Sequence, residues 1–135
     1  MRLEERNKAV VLAYVDAFNR GDFAALRRIY AADAVVQGVL GRGGMGFVLP
    51  VWQELHEAFG IQLQVDDMVV AGETVVVRYT ERGTFRAPFR GNPPTGRSYE
   101  LVAMEWFRLH EGRIVERWGA RDAAALARQV GMKPA

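Results

Sequence analysis

The run ELVAMEWFRL, Glu100–Leu109, decides how this chain folds. In an extended strand Leu101, Ala103 and Phe107 fall on one face, and Val102, Met104 and Trp106 on the other. A strand that is apolar on both sides has neither side simply in water. Helices cover one face on this reading, and a second copy of the chain covers the other, which predicts a homodimer through the outer sheet face. The run also holds an ionisable residue, Glu105, among groups chosen to avoid water.

The segments around it keep the same period of two. IQLQVDDMVVAG, TVVVRYTERGTF, SYELVAMEWFRL and RIVERWGA read as four strands, separated by turns at AGET, RGNPPTGR and HEGR. Before Ile61 the period is 3.6 instead. Leu3, Val10, Val11, Tyr14, Val15 and Phe18 recur at helical spacing. Gly21 ends that helix and Asp22 caps a second one through DFAALRRIY. DAVVQGVLGRGGMG passes from a short strand into a glycine-rich loop, and FVLPVWQELHEAF forms a third helix with Pro50 near its start. Asp122 caps a short last helix, AAALARQV, closed by Gly131. Helices first and a strand meander afterwards specify an α+β domain, its mostly antiparallel sheet covered on one face by helices, with residues 1–135 as a single domain.

Composition removes several function classes. The 135 residues carry a formal net charge of only +2, and the arginines are dispersed, so no basic stripe for nucleic acid is present. There is no cysteine, which excludes disulfides, thiolate nucleophiles and thiolate metal sites. No apolar run reaches the roughly 20 residues that span a bilayer. MRLEERNK is charged where a secretory signal needs an apolar centre, so a cytoplasmic protein is the default expectation. His56 lies in a charged helix and His110 in a turn, and no histidine–carboxylate spacing suits a metal. GRGGMG lacks the strand-before, helix-after context and the lysine of a phosphate loop, and reads as a flexible pocket rim.

Three stretches, AFNRGDFAALRRIYAADAVV, GNPPTGRSYE and FRLHEGRIVERWG, occur in an order that resembles the SnoaL-like polyketide cyclase family of the NTF2-like superfamily. The resemblance runs over residues 7–131. It implies a cone in which a curved sheet wraps a pocket closed by the N-terminal helices, a fold shared with ketosteroid isomerases and limonene epoxide hydrolases. It places Glu105 where the isomerases carry a protonated acid and the cyclases a histidine, and Tyr14 on the isomerase tyrosine beside that acid. Tyr30, Trp52 and Trp118 match further aromatic pocket positions. The usual bases are missing: the isomerase aspartate falls near Gly38 and the cyclase aspartate on Gly119, while Gln37 and Arg117 stand where the family often has histidines.

Glu105 and Tyr14 are the catalytic candidates. A buried carboxylate without a partner costs several kcal/mol, so a pocket glutamate takes up a proton or finds a countercharge. Protonated, it donates to a carbonyl oxygen; ionised, it removes a proton beside one. The competing reading makes Glu105 a surface or interface residue paired with an arginine such as Arg78 or Arg117. Tyr30, Trp52, Phe59, Tyr79 and Trp118 as a set indicate a small hydrophobic ligand, with Gln37 orienting a ligand oxygen. Asp33 reads as a turn residue, and Asp66 and Asp67 as solvent-facing. The leading expectation is an enzyme without cofactor (isomerase, lyase or cyclase) acting on a hydrophobic carbonyl compound. The alternatives are a binding module on the same cone that has lost its base, and a pure interaction domain.

Overall fold

The computed structural model describes residues 2–133. Helix α1 (Leu3–Arg20) stops at Gly21, which adopts φ 68° and returns its amide to the Ala17 and Phe18 carbonyls. The Asp22 carboxylate then accepts the Ala25 amide at 3.0 Å and starts α2 (Phe23–Ile29) one residue later. Both helix ends thus follow the local chemistry of their capping residues.

Strand β1 (Tyr30–Gly38) follows α2 without a loop and turns tightly into β2 (Gly41–Gly43). The glycine-rich run is therefore partly a strand hairpin rather than a free rim. Gly41 has φ 136°, and the Phe47 ring lies where Cβ atoms of Gly41 and Gly43 would be, so the glycines are required for close packing. Helix α3 (Met45–Phe59) begins earlier than its sequence pattern suggests, which puts Pro50 in the second turn rather than at the start. Asp33 lies exposed within β1, not in a turn after the helix.

The remaining strands are β3 (Gln62–Ala71), β4 (Thr74–Thr84), β5 (Ser98–His110) and β6 (Arg113–Arg121), and α4 (Ala123–Val130) ends the fold with Asp122 as its cap. They form one curved, unclosed sheet in the order β2-β1-β6-β5-β4-β3, antiparallel throughout except for the parallel β1–β6 pair. The architecture is the α+β cone that the sequence implies. Asn19 ties the end of α1 to the β3 edge, donating to the Leu63 carbonyl at 2.9 Å and accepting its amide at 2.7 Å.

Strand β5 alternates without interruption. Tyr99, Leu101, Ala103, Glu105, Phe107 and Leu109 are buried on the concave face beneath α1 and α3. Val102, Met104 and Trp106 are 50–54% exposed on the convex face, with Val69 beside them at 59%. No helix among the described residues is long and apolar enough to cross a membrane.

Strand β6 carries one irregularity that decides which of its residues face inward. His110 pairs with Arg113 and Leu109 with Ile114, but Arg108 pairs with Glu116, leaving Val115 as an extra residue. A one-residue bulge exchanges the two faces of everything beyond it. Arg117, Gly119 and Arg121 consequently face the cone, and Trp118 lies opposite Trp106 on the outside.

Candidate active site

The concave face, α1 and α3 enclose a cavity of about 90 Å³. Phe18, Val48, Trp52, Leu55 and Leu63 supply apolar walls, and the Gly38–Gly41 turn forms part of the lining. Tyr14, Tyr79, Glu81, Glu105, Arg117 and Arg121 bring the polar groups. An apolar chamber with a few converging polar side chains is the usual form of a small-molecule site.

At one end Tyr14, from α1, donates its hydroxyl to Glu105 Oε2 at 2.9 Å. Arg117 Nη1, from β6, lies 2.8 Å from the same oxygen. Both charged side chains are under a tenth exposed. The guanidinium also sits over the Trp52 ring, 5.5 Å from its centroid. Glu105 is therefore both of the things the sequence allowed separately. It faces the cavity and it pairs with an arginine, but within one chain.

Three oxygens in this cluster are buried without a hydrogen-bond partner: Glu105 Oε1 and the hydroxyls of Tyr30 and Tyr79. Arg117 Nε is unpartnered as well. Buried polar atoms normally find a partner, so such a concentration singles this cluster out. Burial and then the Glu105 charge push the Tyr14 phenol well above its ordinary range, and the same two causes in the same order push up Tyr79. Both stay protonated donors. Burial works against the Arg117 charge, but Glu105, followed by Tyr14 and Tyr30, outweighs it and holds the guanidinium above its usual range.

Gly119 makes this arrangement possible. It pairs with Glu105 across the β5–β6 ladder, and a Cβ on it would fall inside Arg117 Nη1. The guanidinium occupies the space a side chain at 119 would fill. Gly38 is different, because a Cβ there meets nothing within 4 Å. Of the two glycines at expected base positions, one leaves a vacancy and the other has been filled from a neighbouring residue.

A second cluster occupies the same cavity. Glu81, 3% exposed, accepts the Tyr99 hydroxyl at 2.6 Å on Oε2 and Arg121 Nε at 3.0 Å on Oε1, while Arg121 Nη2 bonds to Oε2. This pair is bidentate and its carboxylate is saturated. Burial, then Glu81, push the Tyr99 phenol up.

The structure thus brings Tyr14, Trp52, Tyr79 and Glu105 together at the cavity. Four other expected positions are corrected. Tyr30 is core, packed edge-on against Tyr14 and behind the wall. Phe59 belongs to a separate aromatic cluster with Phe85, Phe89 and Tyr99. Gln37 lies on the opposite face from inward Val36 and donates to the Gly38 carbonyl at 3.0 Å, so it orients no ligand in the cavity. Trp118 is turned outward by the β6 bulge and lines a shallow surface hollow with Trp106.

Arg117, Arg121 and Glu81 are the polar lining residues that sequence reasoning did not place there. Glu81 was accessible to it, since Val75, Val77, Tyr79 and Glu81 share one face of β4 by simple alternation. The two arginines were not, because the bulge precedes them. Among the described residues no group of three or more histidines, cysteines or carboxylates could hold a metal.

A family model described as SnoaL-like polyketide cyclase matches residues 8–130. Among solved structures, the chain is similar to IdmH from Streptomyces antibioticus, titled as a proposed polyketide cyclase, at 31% identity and TM-score 0.83, covering 93% of this chain and 99% of that one. It is also similar to AclR from Streptomyces galilaeus, titled as a proposed hydroxylase, at 26% identity and TM-score 0.87, covering 98% and 100%. An LEH-like epoxide hydrolase from M. tuberculosis shares the fold at 15% identity and TM-score 0.76, covering 94% of this chain and 90% of that one. No curated protein matches the chain. Three differently described chemistries on one cone show why the site, not the fold, has to carry the functional argument.

Proposed function

The chain belongs to the SnoaL-like polyketide cyclase family, and from that premise we propose that its cavity takes a small hydrophobic molecule bearing a carbonyl group and performs proton-transfer chemistry on it without a cofactor. The supporting observation is that Glu105 lines an apolar chamber with its Oε1 outside any aligned hydrogen bond and with the Tyr79 hydroxyl as its neighbour. Glu105 Oε1 takes a proton from the carbon next to the carbonyl. The C–H electrons move to the carbonyl oxygen, and Tyr79 and Arg117 donate to the enolate that forms. Preorganised donors of this kind are worth about 3 kcal/mol each in a water-excluded site. Returning the proton to another carbon makes the reaction an isomerisation. Attack of the enolate carbon on a second carbonyl makes it a cyclisation.

Tyr14 and Arg117 fix the position of the Glu105 carboxylate. Both address Oε2, and Arg117 does so through a single contact that is not aligned as a hydrogen bond. The carboxylate is thus already engaged by a countercharge within the protein. That observation favours the second reading, a binding module in which the cluster orients a ligand carbonyl without turnover. At about 90 Å³ the cavity is also smaller than a typical ligand site, so occupancy requires the rim around Val39, Leu40 and Phe47 to yield.

Exchange of α-protons in D2O, followed by NMR on a panel of cyclic and aryl-alkyl ketones, separates the two. The enzyme reading expects exchange by the wild type and loss of about 100-fold or more in Glu105→Gln. Ketones that raise the melting temperature yet show no exchange establish the binding module instead.

The convex face supports a further part of the reading, a homodimer. Val69, Val102, Met104 and Trp106 are half or more exposed there, with Trp118 alongside. Contiguous apolar surface on a folded domain ordinarily meets a partner. Sedimentation of the wild type at twice the mass of a Trp106→Lys variant is the expected result; monomers in both would refute it.

A further inference from the structure

Arg121 is the second guanidinium lining the cavity, and its bonding leaves one nitrogen over. Nε and Nη2 go to Glu81. Nη1 makes no hydrogen bond among the described residues and, unlike Arg117 Nε, it is not sealed from solvent. Both Glu81 oxygens are already engaged within the protein, by Tyr99 and Arg121. What the bidentate pairing does is fix the guanidinium plane, so the remaining N–H donors are preoriented.

We propose that Arg121 Nη1 anchors a second oxygen of the ligand, a neutral acceptor at the end of the cavity away from Glu105. This inference rests on the reading that the Glu105 end receives a carbonyl. Arg117 and Arg121 are four positions apart on the inward face of β6, about 13 Å along an extended strand. Between them lie Gly119, whose side-chain space the Arg117 guanidinium fills, and its β5 partner Glu105, while Ala103 stands level with Arg121 itself. Level with Arg121 the floor is therefore low and apolar, whereas at Gly119 the Arg117 guanidinium and Glu105 occupy it. The oxygen at Arg121 is neutral because Glu81 already balances that charge. An anion there would put a second carboxylate on one guanidinium in a largely buried place. The ligand class is a molecule with a carbonyl at one end and a carbonyl, ether or hydroxyl oxygen at the other, its apolar middle lying against Ala103 and the Phe18, Val48, Leu55 and Leu63 walls.

Three probes test this: benzylacetone, its para-acetyl analogue and its para-carboxylate analogue, with dissociation constants from NMR titration. For the wild type the para-acetyl compound binds about 10-fold tighter than benzylacetone, as one hydrogen bond to a charged donor supplies. The carboxylate gains nothing. In Glu81→Gln/Arg121→Gln the advantage of the acetyl compound over benzylacetone disappears. Arg121→Lys, which keeps the charge and removes the fork, gives the same loss should the double variant not fold. Equal constants for benzylacetone and the acetyl compound in the wild type, or an advantage that persists in these variants, overturns the inference. Glu105→Gln keeps the two claims apart. Glu105-dependent benzylacetone binding without an acetyl advantage removes only the Arg121 anchor. An acetyl advantage with every constant indifferent to Glu105→Gln removes only the carbonyl reading. Binding of none of the three removes both.

Discussion

The cavity contains two clusters of the same three residue types, built in opposite ways. Tyr99, Glu81 and Arg121 close on one another: both carboxylate oxygens are occupied and the arginine grips in a fork. Tyr14, Glu105 and Arg117 all meet at one oxygen and leave the other outside any aligned hydrogen bond, with the Tyr79 hydroxyl nearby. The saturated cluster spends its acceptors inside the protein and has one donor left, whereas the open cluster keeps an acceptor. Identical residue types therefore do not imply identical roles; the number of unsatisfied atoms separates a fixed anchor from a reactive group.

The strongest way to break both clusters at once is alkali. All four tyrosines of the chain, Tyr14, Tyr30, Tyr79 and Tyr99, have phenols raised above 10, each chiefly by burial. The unfolded chain releases these protons near pH 10 and the folded chain does not. The stabilisation is thus complete below pH 10 and is lost as pH rises above it, at about 1.4 kcal/mol per tyrosine per pH unit. Absorbance at 295 nm should show no phenolate until circular dichroism shows unfolding, and both should then change together. A tyrosine that titrates near pH 10 in the folded protein would contradict the burial on which both clusters depend.

Removing one arginine at a time distinguishes the clusters. Arg121→Met leaves Glu81 buried without its fork, and a loss of about 3–5 kcal/mol in urea unfolding follows. Arg117→Met should cost less, because its single contact is the weaker one. A larger loss for Arg117 would reverse the ranking. Glu105→Gln acts on chemistry instead. It should reduce α-proton exchange about 100-fold, near 2.7 kcal/mol, with a smaller change in stability. Glu81→Gln should show the opposite balance, costing stability while sparing exchange.

The finest distinction concerns Gly119. Gly119→Ala places a methyl group where Arg117 Nη1 now sits, and overpacking of this kind costs about 1–3 kcal/mol. The displaced guanidinium leaves Glu105 without its contact, so α-proton exchange should differ measurably from the wild type. Gly38→Ala, set in open space, should change neither quantity measurably.

How much of this the sequence disclosed depends on strand parity. Strand β5 alternates cleanly, so the double apolar face was legible in ELVAMEWFRL alone. The caps at Asp22 and Asp122 were legible because a side-chain acceptor three residues before a free amide is a local event. The Tyr14–Glu105 contact spans 91 residues and came from the family resemblance, since no local pattern links a helix to a strand that distant. Gln37 and Phe59 were placed in the pocket on residue type, and their backbone geometry turns them elsewhere. On β6, counting by twos from inward Ile114 carries Trp118 into the cavity and Arg117 out of it. The structure has the reverse.

That reversal gives Val115 an importance unrelated to its own side chain. A strand can be regarded as having a reading frame of two, and Val115 shifts it. Deleting this one residue, with no substitution anywhere, would send Arg117 and Arg121 to the outside and bring Trp118 in. Both carboxylates would lose their countercharges and the chamber would gain an indole. Strand length, as much as residue identity, thus determines the chemistry that this cone presents.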